Sequence, residues 1–114
     1  MKSFGTGYFL TDPELKDANG TVVCNFRLAV NEYRSMNGQK VKTRHYFDFE
    51  AWDSAAKTIV DRARKGDKLE YFAIPRQHKW PGPDGHEHSK VVFRVSEFQI
   101  VQRTEYNDDE DQPE

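Results

Sequence analysis

Val22, Cys24, Phe26, Leu28 and Val30 occupy alternate places in "TVVCNFRLAVNEY". Asn25, Arg27, Asn31 and Tyr33 fall on the opposite parity. An apolar residue at every second position marks a strand with one buried face. "RHYFDFEAW" repeats the pattern: Phe47, Phe49 and Ala51 share the face assigned to the core, and Tyr46, Asp48, Glu50 and Trp52 share the other. Between these strands, "RSMNGQKVKTR" reads as a loop with Asn37-Gly38 at its tip, which makes the pair a hairpin. Upstream, residues 3–10 read as a weak, glycine-broken strand. "DPELKDANG" reads as a turn region, opened by Asp12-Pro13 and closed by Asn19-Gly20.

The period then changes. Over "DSAAKTIVDRARKG", residues 53–66, Ala55, Ala56, Ile59, Val60 and Ala63 form a helical stripe. Asp53 or Ser54 is the expected N-cap, and Gly66 the expected end. "DKLEYFAIP" is a strand that Pro75 should stop or bend, and "VVFRVSEFQIV" is the last strand. Five strands with one helix between the third and fourth is the layout of an all-β OB-fold barrel. The barrel domain is expected to span residues 1–103, followed by an acidic tail over residues 104–114.

Composition changes this picture in three ways. Only 36% of residues are apolar while 13% are aromatic, so fifteen rings exceed what a small core absorbs and some should be exposed. The single Cys24 excludes an intrachain disulfide and reads as a buried thiol suited to a reducing compartment. The net charge of −2 conceals an asymmetry: "EYNDDEDQPE" carries six acids and no base. Without them, 17 bases face 13 acids, a net of +4. A basic body with an acidic tail suits a polyanion-binding domain carrying its own anionic mimic, or a body with a solvated tail. The tail is expected to be disordered. No stretch has transmembrane length and the N-terminus lacks the apolar run of a signal peptide, so a cytoplasmic protein without membrane partners is expected.

The candidate chemistry lies in rings set among bases. Tyr33, Tyr46, Trp52 and Trp80 fall on polar strand faces or at loop roots. Arg27, Arg34, Lys40, Lys42, Arg44, Arg76 and Lys79 interleave with them. Cations that track phosphates beside rings that stack on bases suit single-stranded nucleic acid. The competing reading makes Trp52 and Trp80 plugs of the barrel ends and the tyrosines ordinary surface rings. His78, His86 and His88 share one hairpin, but nothing supplies the remaining ligands of a zinc site, so they are expected to be solvated or to touch phosphate. Asp48 and Glu50 form a possible carboxylate pair, yet no phosphate loop, nucleophile elbow or metal motif accompanies them. No catalysis, metal or cofactor is expected.

"DPELKDANGTVVCNFRLAVNEY" and "AWDSAAKTIVDRARKGDKL" resemble the bacterial and phage single-stranded DNA-binding protein family. The resemblance rests on Asp12-Pro13-Glu14, the Phe26-x-Leu28-Ala29-Val30-Asn31 strand, Trp52 before the helix, Lys65-Gly66-Asp67 after it, and "HKW". It covers roughly residues 3–101. It implies an OB barrel that assembles as a homo-oligomer, dimer or tetramer, and coats single-stranded DNA in replication, recombination and repair. Base stacking would then fall on Tyr33, Tyr46, Trp52 and Trp80, and phosphate binding on the basic positions above. Asp48 stands where the family often has a base, and Ala73 where many members have glycine. The tail ends Gln112-Pro113-Glu114 without the family's hydrophobic tip, so partner recruitment through it is not expected. Two alternatives stay open: a replication-restart or RNA-binding OB-fold protein, and an OB-fold protein-interaction module. The compartment implied is the cytoplasm of a bacterium or of a phage-infected host.

Overall fold

Two long antiparallel ribbons, two short strands and one helix make up the structure, a computed structural model that describes residues 2–105. In chain order the elements are β1 (Ser3–Phe9), β2 (Glu14–Ala18), β3 (Thr21–Met36), β4 (Gln39–Trp52), α1 (Asp53–Arg62), β5 (Lys68–Pro81) and β6 (Glu87–Val101). A short 3-10 turn, Arg103–Glu105, follows. Of the acidic tail expected from residue 104, only Thr104 and Glu105 are described; the rest lies outside the described residues. The strands hydrogen-bond in the order β1-β5-β6-β4-β3, and β1 also pairs with β3, which closes the barrel. The expected all-β five-stranded barrel with one helix is therefore present, with β2 added outside β3.

The core follows the alternation. Phe9, Cys24, Phe26, Leu28, Phe49, Ala51, Leu69 and Tyr71 point inward and are buried. Their rings touch in sequence: Phe9 to Phe26 at 5.1 Å, Phe26 to Phe49 at 5.7 Å, and Phe49 to Tyr71 at 4.8 Å between centroids. The helix adds Ala56 and Ile59, with Ala63 just beyond its end. Burial pushes the Cys24 thiol up to about 11, against a smaller opposing effect from a backbone hydrogen bond, so it is a neutral core group.

Several boundaries differ from the expectation. "DPELKDANG" contains β2, joined to β3 by Asn19-Gly20, both at positive φ, in a two-residue hairpin turn. The polar stretch around Asn37-Gly38 is strand almost to its tip: pairing continues out to Met36 opposite Gln39. Phe47 is 39% exposed and packs edge-on against Phe93 at 5.7 Å, because it lies just past the short β4–β6 contact at Phe49 and Glu50.

The helix also ends earlier, at Arg62, with Ala63 already extended. Arg64 bonds the carbonyls of Val60 and Ala63 through its side chain, while its backbone N–H donates to buried Asp67. These bonds satisfy the helix end without a glycine. Gly66 instead donates its N–H to the Phe9 carbonyl, at φ +91°. Neither proposed N-cap side chain caps: Asp53 has φ +54° and its carboxylate accepts from Thr21 Oγ1. Pro75 neither stops nor bends β5. It pairs with Phe93 beyond the last β1 partner of β5, Ala73, where the strand is an edge and a missing N–H is tolerated. The irregularity lies instead at Phe72/Ala73.

Truncating the core and the surface rings of β4 should separate cleanly. Phe49→Ala is expected to lower unfolding free energy by about 3–5 kcal/mol. Tyr46→Ala, three residues away on the exposed face, should change it by about 0.5 kcal/mol or less. Urea denaturation of both variants measures this, and equal losses would refute the assignment of faces.

Candidate nucleic-acid interface

Strand register decides which side chains share the outer face. Across the β3–β4 ladder, Val23 faces Trp52, Asn25 faces Glu50, Arg27 faces Asp48, Ala29 faces Tyr46, Asn31 faces Arg44 and Tyr33 faces Lys42. Across β5–β6, Ile74 faces Arg94, Arg76 faces Val92, His78 faces Lys90 and Trp80 faces His88. The short parallel contact of β4 with β6 sets Glu50 beside Arg94 and makes these two sets one continuous surface. Tyr33, Tyr46, Trp52 and Trp80 all lie on it. So do Arg27, Lys40, Lys42, Arg44 and Arg76, whereas Arg34 and Lys79 fall on the opposite parity of their strands.

The rings are held open. Tyr46 is 49% exposed, Trp80 43% and Tyr33 42%; Trp52 is half-buried. Lys40 Nζ lies 4.6 Å from the Tyr33 ring centroid. Trp80 sits near the end of the β5–β6 ribbon, stacked on His88 at 5.8 Å with 20° between the planes. His88 Nε2 is 3.1 Å from Asp84 Oδ1, so the loop carboxylate holds the imidazole under the indole. Gly82 permits this approach, since a Cβ there would collide with His88 Nε2. The loop root thus presents Trp80 to solvent rather than to the core.

The centre of the face carries acids that meet cations from both sides. Asp48 bonds Arg27 Nε at 3.2 Å and lies 3.8 Å from Lys90 Nζ. Glu50 Oε2 accepts from Arg94 Nε at 2.7 Å and from Trp52 Nε1 at 3.0 Å, and Oε1 lies 3.2 Å from His78 Nε2. The sequence pattern places Glu50 on a polar face, yet it is 1% exposed. Arg94 Cζ lies 5.2 Å from the Trp52 ring centroid, a cation–π contact. Arg94, Lys90 and the burial of Glu50 are the parts that the sequence pattern missed. The available signal was Arg94 itself, the one base inside "VVFRVSEFQIV", at the parity that faces outward. Of the three hairpin histidines, His78 turns to Glu50 and His88 to Trp80 and Asp84. Among the described residues no three His, Cys, Asp or Glu side chains gather as metal ligands.

Comparison with known proteins adds the following. The model of the "Single-strand binding protein family" matches residues 4–101. "Single-stranded DNA-binding protein 1" of Synechocystis sp. is 33% identical over 92 residues, which cover 79% of this chain and 74% of that protein. "Single-stranded DNA-binding protein" of Aquifex aeolicus is 30% identical over 104 residues, 90% of this chain and 70% of that one. The crystal structure of the small single-stranded DNA-binding protein from Streptomyces coelicolor superposes with a TM-score of 0.69 at 15% identity, over 87% of this chain and 92% of that one, a likeness of fold.

Glu50 makes the face sensitive to acid. Burial alone would raise its pKa, but the hydrogen bonds from Trp52 and Arg94 and the charges of Arg94 and His78 outweigh burial and hold it below the ordinary 4.5. The unfolded chain takes up this proton more readily than the folded one, so the contribution of Glu50 to stability is full above pH 4.5 and is lost as pH falls below it. Denaturant titrations from pH 7 down to pH 3 are expected to show a steeper acid loss for the natural chain than for Glu50→Gln. Parallel profiles would show that Glu50 is not selectively held as the carboxylate.

Proposed function

The chain belongs to the single-strand binding protein family, and we propose that it coats single-stranded DNA without sequence preference, as a non-catalytic partner of replication, recombination and repair. The observation that carries this reading is the single face on which Tyr33, Tyr46, Trp52 and Trp80 lie between cationic strands. Flat rings accept any base, at about 1–3 kcal/mol per stacked base, while Lys40, Lys42, Arg44 and Arg76 flank them for the phosphates. Arg34 and Lys79, on the reverse parity, are assigned to the ribbon edges, where a wrapping strand reaches them. The two carboxylates that raised acid–base chemistry are both ion-paired, Asp48 with Arg27 and Lys90, Glu50 with Arg94. That arrangement supports a binding face over a catalytic centre.

We also propose a homo-oligomer that works in the cytoplasm. Phe4 is 72% exposed and lies 5.1 Å from Phe72 across β1–β5. Two exposed rings on the outer side of two neighbouring barrel strands support burial against a second copy. No described helix is long and apolar enough to cross a membrane. Light scattering of the purified chain should give a multiple of 13.3 kDa, and Phe4→Asp should shift it towards one chain. A monomer at micromolar concentration would remove the oligomer from this reading.

Oligo-dT titrated against intrinsic tryptophan fluorescence tests the main function. Quenching is expected on binding, with a log–log salt slope of about −0.7 per phosphate neutralised. Trp80→Ala should lose about 1–3 kcal/mol of affinity with little change in melting temperature. A flat salt response, equal affinity for duplex DNA, or a large loss of stability with unchanged affinity in Trp80→Ala would each contradict the proposal.

A further inference from the structure

Arg94 lies at the β4–β6 contact that joins the two halves of the face, yet its surroundings differ from those of the other bases. Arg27 and Lys90 meet a carboxylate, Asp48, whose side chain is 34% exposed, so water or a phosphate can exchange with it. Arg94 meets Glu50, whose side chain is 2% exposed. The carboxylate is held from several directions: Oε2 accepts from Arg94 Nε and Trp52 Nε1, and His78 Nε2 stands at Oε1. A buried carboxylate fixed in this way cannot swing aside to release its cation, because leaving it unpaired would carry the full cost of a buried charge. A phosphate approaching Arg94 meets that fixed negative charge 2.7 Å from Nε, on the same guanidinium. The guanidinium meanwhile lies against the Trp52 ring, 5.2 Å from its centroid.

We propose that Glu50 turns Arg94 from a phosphate ligand into a stacking group, so that Arg94 and Trp52 act as one preoriented platform for a base. The indole N–H is committed to Glu50 and offers no hydrogen bond to a base edge, which leaves a flat, sequence-neutral surface. Arginine suits this role where lysine does not, since its planar guanidinium both stacks on a ring and fixes a carboxylate. Glu50 is thus a positioning residue: it touches no DNA and acts through Arg94 and Trp52. This inference rests on the single-strand-binding reading above.

Oligo-dT binding measured over a salt series tests it, with melting curves on each variant. Arg94→Met is expected to weaken binding about two- to five-fold at every salt concentration, the size of a lost cation–π contact, and to leave the salt slope unchanged. Arg94→Lys should weaken it equally, because the charge remains but the plane is gone. Glu50→Gln frees the guanidinium and should steepen the slope by about 0.7, one further phosphate neutralised. If Arg94→Met destabilises the fold by leaving Glu50 unpaired, the double variant Glu50→Gln/Arg94→Met removes both charges. Its slope should return to that of the natural chain. A slope about 0.7 shallower in Arg94→Met, or a double variant that keeps the steep slope of Glu50→Gln, overturns the assignment while leaving single-strand binding intact. Failure of the natural chain to bind oligo-dT would remove both readings together.

Discussion

Closure of the barrel depends on Phe9. Five strands hydrogen-bond side by side from β1 to β3, and the ring is shut only where Tyr8 and Phe9 of β1 meet Ala29 and Leu28 of β3. Phe9 also accepts at its carbonyl from Gly66 N–H and donates its own N–H to Asp67. Its side chain is fully buried against Phe26. One residue therefore joins two strands, the turn after the helix and the aromatic core. Without it, β1 and β3 would present two open edges, and the core would lose the wall that keeps water out.

This closure also determines where the exposed rings and cations lie. β1 is only seven residues long, while β3, β4, β5 and β6 run for 14 to 16. A short closing strand cannot accompany them over their full length. The longer strands therefore continue as two ribbons with solvent on both sides. Alternation persists along each ribbon, so the outward parity of the barrel becomes one side of both ribbons. Tyr33 and Trp80 sit far out on different ribbons yet belong to the same surface as Trp52 at its centre. A chain of linked bases needs that kind of surface: extended, and made of separated rings rather than one pocket.

How far the sequence reveals this depends on whether a core records the pattern. Where β3 and β4 line the barrel, Cys24, Phe26, Leu28, Phe49 and Ala51 write the period into the chain, and the opposite parity gives the outward rings Tyr46 and Trp52 directly. Along "RSMNGQKVKTR" there is no core to write against, so strand residues look like a loop. β2 is exposed along nearly all its length and is equally silent; only its Asn19-Gly20 turn was legible. Phe47 misleads for another reason: it keeps the inward parity but lies past the β4–β6 contact that covers Phe49. Glu50 is invisible for a topological reason. Its burial is made by Arg94 and His78, which reach it through a β4–β6 crossover that no local pattern encodes.

The face has to satisfy two opposed demands. Unpaired cations close together would repel one another in the free protein and weaken the barrel wall beneath them. Cations locked in strong internal pairs would have nothing to offer a phosphate. The acids of β4 resolve this by their depth. Asp48 is part-exposed, and ion pairs in that setting contribute about 0–1 kcal/mol, so Arg27 and Lys90 are screened when the face is empty and can exchange their partner at little cost. Glu50 lies two residues along the same strand and the same face, but beneath Trp52 and Arg94, where exchange would strand a buried charge. If Arg94 and Trp52 stack a base as proposed, the same chemical pair has two functions along one strand: a replaceable counter-ion where backbone is to be held, and a fixed anchor where a base is to be stacked.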